Sequence, residues 1–249
     1  MRRTLTALTT GAMLFASAAS ADGLTSMSDA ERAAFRDEVR AYLLENPEVL
    51  MEALDVLQKR QDAAAAQQEQ AALADNHALI FNDPASWVGG NPEGDITVVE
   101  FMDYRCGYCR KAYDEVANLV ARDGNIRFVV KEFPILGEDS VASARFAIAV
   151  RMLHGDEAYE SAHDALITLR GTPDTETLGR LATDLGHEAA PILEKMGSDE
   201  VTAVIAANHE IARQLNITGT PTFFIGDQIL RGYLPEADMQ AIVEEARAG

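Results

Sequence analysis

The spacing of apolar side chains predicts two successive helices in the first third of the chain. Ser28 and Glu31 stand at the spacing of a capping box, and apolar residues follow at helical intervals to about residue 45. Asn46 and Pro47 then favour the start of a second helix, with Asn46 at the N-cap and Pro47 at the first helical position. This second helix is expected to continue to about Leu79.

The second helix changes composition along its length. Leu50, Leu54 and Leu57 share one face, whereas residues 58–74 are rich in alanine and glutamine, with high helix propensity and little to bury. Such a helix is typical of a stalk. We therefore predict that residues 22–81 form a helical stalk that joins copies of the chain.

A mixed pattern starts at Asn82, where loop and turn residues become frequent. The apolar run over residues 96–104 predicts a strand that is covered on both faces. Apolar positions at helical spacing follow over residues 113–120, and residues 126–133 predict the next strand. Strand, helix and strand in this order form a βαβ unit, whose two strands should be parallel.

The remaining residues complete a domain over residues 82–249. Residues 140–195 are predicted to form several helices in series, and Ser198 caps another helix that reaches about Leu215. Gly226 and Asp227 form a tight turn between the short strands 222–225 and 228–231, and a last helix covers residues 236–248. The pattern therefore predicts an α/β fold with a helical insertion, preceded by the stalk.

Residues 1–21 have the composition of a secretory signal peptide. Arg2 and Arg3 precede an apolar stretch over residues 5–15, and small residues then lead to Ala21. The apolar stretch is shorter than the roughly 18 residues that a membrane-spanning helix needs. We therefore expect an exported protein that is cleaved near Ala21.

The charge balance limits the classes of partner. The sequence has 21 Lys and Arg residues against 40 Asp and Glu residues, which gives a formal net charge of −19. Phosphate backbones and anionic lipid surfaces would repel such a chain. Nucleic acid is therefore not expected as a partner.

The chain has two cysteines, Cys106 and Cys109, which flank Gly107 and Tyr108 where the first predicted strand leads into its helix. An exported protein that used disulfides as staples would normally carry more cysteines at wider spacings. At a helix N-terminus, unpaired backbone amides and the helix dipole stabilise a thiolate, which suits Cys106 to attack a disulfide. Cys109, about one turn further along, would resolve the mixed disulfide.

Other uses of such a cysteine pair find little support in the sequence. A zinc site would need two further ligands, and the five histidines show no paired spacing. Covalent haem would need a histidine directly after the second cysteine, where Arg110 stands. We therefore predict no cofactor and no metal site. A structural disulfide remains the simple alternative, although so short a loop would constrain the unfolded chain little.

Three segments together resemble the DsbA family of bacterial periplasmic thiol-disulfide oxidoreductases, namely residues 98–109, Lys131-Glu132-Phe133-Pro134, and Gly219-Thr220-Pro221-Thr222-Phe223-Phe224. The resemblance covers about residues 84–248 and implies a thioredoxin fold with a helical insertion, a DsbA-like catalytic domain over residues 82–249, and a location in the periplasm. Residues 42–57 are similar to the oligomerisation segment of the ScsC-type, copper-resistance-associated branch of that family.

The resemblance also implies roles for single residues. Cys106 matches the attacking cysteine, Cys109 the resolving one, and Pro221 a cis-proline that faces them. Thr220 would offer backbone groups to an extended substrate beside Cys106, and Gly107 and Tyr108 are expected to contact the substrate as well.

Two charged residues fall within the predicted strands. Glu100 and Lys131 match charged positions beneath the active site of the family, and a charge on a strand buried on both faces is costly unless it is paired. We therefore expect both to help move the proton of Cys109. A solvated strand end is the alternative for each.

The predicted function is that of an enzyme that forms or reshuffles disulfides in other exported proteins, with a membrane redox partner of unknown identity. Gly107 and Tyr108 lack the histidine of the family's best-known oxidant, which predicts a less strongly oxidising pair. A homo-oligomer, with three copies favoured, would hold several Cys106 sites around one substrate and favour isomerase over oxidase activity. A protein that binds Cu(I) through the same thiols, and a scaffold with incidental cysteines, remain as alternatives.

Overall fold

A computed structural model describes residues 27–248 of the chain. The predicted signal peptide, residues 1–21, lies outside the described residues. The described residues divide into two compact units, the first ending at Ala63 and the second beginning at Ala64.

The first unit contains helix α1 (Asp29–Glu45) and the beginning of helix α2 (Glu48–Phe81). The predicted capping box is present, because the Glu31 backbone N–H donates to the Ser28 hydroxyl at 3.4 Å and the Ser28 N–H donates to the Glu31 carboxylate at 2.8 Å. Asn46 ends α1, since its side-chain amide donates to the Tyr42 carbonyl at 2.9 Å. The sequence pattern instead placed Asn46 at the start of α2, which begins at Glu48.

The second unit is built on a sheet whose described strands lie in the order β1-β3-β2-β4-β5. β2 and β3 are parallel, as predicted for a βαβ unit, and the other neighbours pair antiparallel. The strands are β1 (Trp87–Gly90), β2 (Ile96–Met102), β3 (Ile126–Glu132), β4 (Thr222–Ile225) and β5 (Gln228–Arg231). The sequence pattern predicted a loop at β1. Two of its four residues are glycine, and only its pairing with β3 makes it a strand.

Helices cover the sheet and fill the insertion. α3 connects β2 to β3 and ends at Gly124, whose φ of 68° lies in the left-handed region that favours glycine. α4 to α7 form the predicted insertion, and Ser198 caps α8 by accepting the Val201 N–H. No helix within residues 27–248 is both long and apolar enough to cross a membrane. The helices of this unit after α2 are α3 (Gly107–Asp123), α4 (Glu138–His154), α5 (Asp156–Thr168), α6 (Thr175–Asp184), α7 (Ala189–Lys195), α8 (Asp199–Gln214) and α9 (Glu236–Ala248).

The two faces of the sheet contribute to two hydrophobic cores. Val98 and Met102 of β2 pack with residues of α3, α4, α5 and α9, and we call this the catalytic-side core. Val99 and Phe101 pack with α8 and with residues 73–81 of α2, and we call this the opposite core. The last part of α2, which the sequence analysis assigned to the stalk, therefore packs on the sheet within the second unit.

Candidate active site

The two cysteines lie where β2 leads into α3. Cys106 is the N-cap of α3, with an extended backbone (φ −73°, ψ 119°), and Cys109 lies in the first turn. Both side chains are buried and both thiols are free. The chain turns between strand and helix because the Asp103 carboxylate accepts the Arg105 N–H at 2.7 Å and the Asp103 carbonyl accepts the Cys106 N–H at 3.0 Å.

The segment before β4 completes the surroundings of Cys106. The Thr220–Pro221 peptide bond is cis, as the sequence analysis expected. The Cys106 thiol donates a hydrogen bond to the Thr220 carbonyl at 3.1 Å, across 114 residues of sequence. The antiparallel pairing of β2 with β4, in which Phe101 faces Thr222, is what brings this segment to the cysteines.

The surroundings of Cys106 stabilise its thiolate. Hydrogen bonds from the Cys109 thiol, from the Thr220 side chain and from the backbone N–H groups of Cys109 and Tyr108 lower the pKa of Cys106 to about 5, although partial burial acts in the opposite direction. The backbone donors are available because the first turn of a helix leaves its N–H groups without intrahelical acceptors. At neutral pH Cys106 is therefore mostly a thiolate.

Cys109 has the opposite character. Its hydrogen bond to Cys106, its burial and the negative charge of Glu100 all raise its pKa. The pair is thus asymmetric, with an ionised sulfur on Cys106 and a protonated sulfur on Cys109. This asymmetry is what ordered attack and resolution in disulfide exchange require.

Glu100 lies on the same face of the sheet as the cysteines. It lies between Val98 and Met102 at every second position of β2, and these two residues share the catalytic-side core with Cys106 and Cys109. Glu100 is only 6% exposed. Burial, together with the negative charges of Cys106 and Glu132, raises the pKa of Glu100 to about 8. Glu100 can therefore gain or lose a proton close to neutral pH.

Lys131 lies on the opposite face, and the structure does not bring it to the thiols. Lys131 is in register with Phe101, whose side chain belongs to the opposite core. Its ammonium group donates to the Asp83 carboxylate and to the Leu79 carbonyl, both at 2.6 Å. These bonds tie the end of α2 and the loop after it to the sheet, which accounts for a fully buried lysine by a structural role.

Glu132, which the sequence analysis did not single out, lies on the face of Glu100 instead. Its carboxylate accepts hydrogen bonds from the Tyr104 hydroxyl at 2.8 Å and from the Tyr159 hydroxyl at 2.6 Å. The Tyr104 hydroxyl also contacts Nδ1 of His163 at 3.1 Å. Burial raises the pKa of Glu132 to about 8. Adjacent charges on a buried strand were the available signal, but the sequence alone did not show which of the two faced the cysteines.

Asp103 is a second residue that sequence reasoning missed. Beyond its role in the turn before Cys106, its carboxylate accepts the N–H groups of Ile135 and Leu136 at 2.8 Å and 3.1 Å. It is almost fully buried. One carboxylate therefore fixes the loop that follows β3 beside the start of α3, and an aspartate at the end of a buried strand was the signal that could have revealed it.

Comparisons with known proteins agree with this architecture. A family model described as Thioredoxin matches residues 82–245, and one described as Copper resistance protein ScsC N-terminal domain matches residues 31–64. A thioredoxin-like oxidoreductase from Silicibacter pomeroyi is 41% identical, covers 70% of this chain and 99% of its own, and has a TM-score of 0.66. ScsC from Proteus mirabilis in a transitional conformation is 27% identical over 90% of this chain and 98% of its own, with a TM-score of 0.65.

Further relatives match about two thirds of this chain. A periplasmic thioredoxin-like protein from Salmonella enterica serovar Typhimurium is 28% identical, covers 70% of this chain and 96% of its own, and has a TM-score of 0.63. The Na(+)/H(+) antiporter NhaA 1 of Salinispora arenicola is 30% identical over 65% of this chain, but the match spans only 25% of that protein. The chain thus corresponds to about a quarter of the length of the antiporters that it matches.

The match to the Thioredoxin model extends from the loop before β1 into α9, and so includes the sheet, both cysteines and Pro221. The match to the ScsC N-terminal model covers the helices of the first unit. The chain therefore belongs to the thioredoxin family, among the thioredoxin-fold thiol-disulfide oxidoreductases that include ScsC.

Proposed function

We propose that this protein is an exported, periplasmic enzyme that exchanges disulfides with other exported proteins through Cys106 and Cys109. The observation that carries the proposal is the asymmetry of the pair. The pKa of Cys106 is lowered to about 5 at the N-terminus of α3, whereas the pKa of the buried Cys109 is raised. An incidental pair of cysteines would have no reason to differ in this way.

The exchange proceeds in two displacements. The Cys106 thiolate attacks one sulfur of a substrate disulfide, so that a Cys106–substrate bond forms and the second substrate sulfur leaves as a thiolate. Cys109 then loses its proton and attacks the Cys106 sulfur, which releases the first substrate sulfur and leaves a Cys106–Cys109 disulfide. In the reverse direction, the Cys106–Cys109 disulfide accepts two electrons from a dithiol substrate, so that the pair is reduced and the substrate gains a disulfide.

Glu100 is the proposed acceptor of the Cys109 proton. It lies on the face of β2 that carries the catalytic-side core, and its negative charge raises the pKa of the Cys109 thiol. Its own pKa of about 8 lets it take up the proton and release it again near neutral pH. We do not extend this role to Lys131, which binds Asp83 on the other face.

The substrate is proposed to lie across Gly107, Tyr108 and Thr220. Tyr108 is 63% exposed next to the buried Cys106, and a side chain added at Gly107 would meet no neighbouring atom, so this side of the cysteine pair is open. Thr220 precedes β4 and contacts Cys106, so an extended substrate segment could pair with its backbone.

Two single substitutions test the exchange mechanism. Cys106→Ser should abolish reduction of a model disulfide substrate, because serine is not a nucleophile at neutral pH. Cys109→Ser should retain the first attack and accumulate a mixed disulfide, which non-reducing gels and mass spectrometry detect. If Cys109→Ser turned over like the wild type, or if Cys106→Ser still formed mixed disulfides, the assignment of attacking and resolving roles would be wrong.

The helices of the first unit are proposed to join copies of the chain, with a trimer favoured. No residue of α1 is buried, and buried residues of α2 begin only at Leu73. Helical faces with this many apolar side chains normally bury them against a partner. The large exposed apolar residues here are Phe35, Val39, Tyr42, Leu44, Leu50, Met51, Leu54, Val56 and Leu57.

Light scattering on the mature protein tests the assembly. Leu54→Glu should shift the mass towards that of a monomer, because burying one leucine contributes about 1.5–3 kcal/mol and a trimer would lose it three times. Gln61→Glu, an equal change at an exposed polar position of the same helix, should leave the mass unchanged. A wild-type monomer, or equal masses for both variants, would refute the proposal.

Isomerase activity is proposed to exceed oxidase activity, because joined catalytic sites would meet one misfolded substrate at high effective concentration. Giving the protein a reduced substrate and, separately, the same substrate with scrambled disulfides measures both activities. Leu54→Glu should reduce the rate of unscrambling more than the rate of thiol oxidation. Equal losses of both activities would argue against the proposed link.

Cu(I) binding is the second candidate function, because the N-terminal match is to a domain described for a copper resistance protein. Two soft thiolates are suitable ligands for Cu(I). The raised pKa of Cys109 opposes this use, because both sulfurs would have to ionise. Within residues 27–248 no group of three or more His, Cys, Asp or Glu side chains could hold a metal ion. Competition with a Cu(I) chelator tests the candidate, and Cys109→Ser should then weaken binding as strongly as Cys106→Ser.

A further inference from the structure

A cavity of about 560 Å³ lies beside the catalytic-side core, between α3, α5 and the edge of the sheet at β1. It is lined by Trp87, Tyr113 and Phe128, whose rings form its walls, and by Glu100, which reaches it from β2. Neither cysteine lines it. The cavity is thus separate from the surface at Cys106 and Thr220, and its volume falls within the range of small-molecule sites.

The charges around this cavity have one sign. Glu160 and Asp164 of α5 stand at its exposed rim, and among the described residues no lysine or arginine lines it. His163 also lines the cavity, but burial lowers its pKa to about 4, so it is neutral. The cavity therefore presents carboxylates and aromatic faces, both of which attract cations.

Glu100 supplies an independent sign of a ligand. Its side chain is 94% buried, as 6% of it is exposed. Within residues 27–248 it makes neither a side-chain hydrogen bond nor an ion pair. Glu132, by comparison, accepts two hydroxyl donors on Oε1, although its Oε2 has no partner. Burial without a partner favours the protonated carboxyl group, and a ligand with a positive charge and donor hydrogens would stabilise its ionised form.

We propose that this cavity binds a small organic cation, an ammonium group on an apolar body, with the ammonium against Glu100 and the apolar body against Trp87 and Phe128. The aromatic walls are rigidly held. The Trp87 indole N–H donates to the Asp156 carbonyl at 3.1 Å, and its ring stacks on Tyr159 with centroids 5.4 Å apart. A preformed wall of this kind costs little to organise on binding.

Occupancy would also alter the thiol chemistry. A cation that holds Glu100 ionised would prevent it from taking up the proton of Cys109, and exchange would slow at the resolving step. This consequence rests on the function proposed above. The binding itself does not, and it is tested on the oxidised protein, where no exchange takes place.

Phenethylammonium is a suitable probe, with 2-phenylethanol as its neutral counterpart and phenylacetate as an anionic one. Trp87 is the only tryptophan of the sequence, so its fluorescence reports binding in the cavity. Calorimetry should show that the ammonium compound binds at least about tenfold more tightly than the alcohol, with phenylacetate weakest, since tenfold corresponds to 1.4 kcal/mol. Equal affinity of the amine and the alcohol, or no change in fluorescence at millimolar amine, would overturn the proposal.

Two variants locate the charge and the cavity. Glu100→Gln keeps the size of the side chain and should weaken amine binding about tenfold while leaving alcohol binding unchanged. Ala117→Phe adds a ring at an exposed position that lines the cavity and should block both compounds, whereas Asn118→Phe adds the same ring one residue away, outside the cavity lining. Unchanged amine affinity in both Glu100→Gln and Ala117→Phe would show that binding occurs elsewhere.

Discussion

Replacing Cys109 by alanine should raise the pKa of Cys106, because the Cys109 thiol is the largest single contributor to the stability of the Cys106 thiolate. A hydrogen bond to a charged group contributes about 1.5–3 kcal/mol, and 1.36 kcal/mol corresponds to a change of one in pKa. In Cys109→Ala the pKa of Cys106 should therefore rise by about 1 to 2. It should stay below the ~8.5 of an ordinary cysteine, because the backbone N–H groups of the first turn remain.

Cys109→Ser is the matched control. Its hydroxyl can still donate to the Cys106 thiolate, so the pKa of Cys106 should change by less than about half of the change seen for alanine. Thiolate absorbance as a function of pH gives the pKa of both variants directly, since Cys106 is then their only cysteine. The pH dependence of the iodoacetamide reaction gives an independent value for the same group.

Equal pKa values in the alanine and serine variants would refute this reasoning. The low pKa of Cys106 would then come from the helix N-terminus and Thr220 alone. A Cys106 pKa at or above ~8.5 in both variants would also show that the backbone donors of the first turn do not by themselves hold this pKa below that of an ordinary cysteine.

Three further outcomes are expected. The reduced protein should lose stability relative to Cys106→Ser as the pH falls towards 5, by at most about 1.4 kcal/mol per pH unit. The Cys106 thiolate stabilises the folded state fully above the unfolded pKa of ~8.5, and this stabilisation is lost as the pH falls through the folded pKa of about 5. Urea unfolding at several pH values measures the change. Lys131→Met should cost about 3 kcal/mol of unfolding free energy, because it leaves the Asp83 carboxylate without its partner. The rate of disulfide exchange by the folded protein should stay unchanged, and a slower rate would support Lys131 as a proton carrier. Asp103→Ala should cost about 1–3 kcal/mol of unfolding free energy, because it removes the buried acceptor of the Ile135 and Leu136 N–H groups, and hydrogen exchange at these two residues should accelerate.

The order of helices and strands in the second unit could be predicted because each has a local signal. The capping box at Ser28, the serine cap at Ser198 and the turn at Gly226 act within a few residues of sequence. β1 could not be predicted in this way. It exists because β3 offers a free edge, and that information is not local. The packing of Leu73 and Ile80 on the sheet also depends on residues distant in sequence, so the local pattern of α2 did not predict it.

The candidate site shows the same limit. The cysteine pair and Thr220-Pro221 could be recognised from short motifs, and the fold brings them together. Lys131 lies on the face away from Glu100 because side chains change face at every residue of a strand, and whether Lys131 or Glu132 shares a face with Glu100 depends on the pairing of the strands. Only the register of β2 with β3 decides that question.

The helix N-terminus and the dipeptide have opposite effects on the redox balance of the pair. Gly107 and Tyr108 predict a less strongly oxidising disulfide than that of the family's best-known oxidant. A Cys106 pKa of about 5 stabilises the reduced form, by at most about 2.7 kcal/mol at pH 7 relative to an ordinary cysteine, and makes the disulfide more oxidising. An isomerase has to attack scrambled disulfides with a free thiolate, even where its surroundings are oxidising. A stabilised Cys106 thiolate meets that need. In the mixed disulfide the Cys106 thiolate is gone, but burial and the negative charge of Glu100 still raise the pKa of Cys109, which slows closure of the pair and leaves the mixed disulfide time to rearrange.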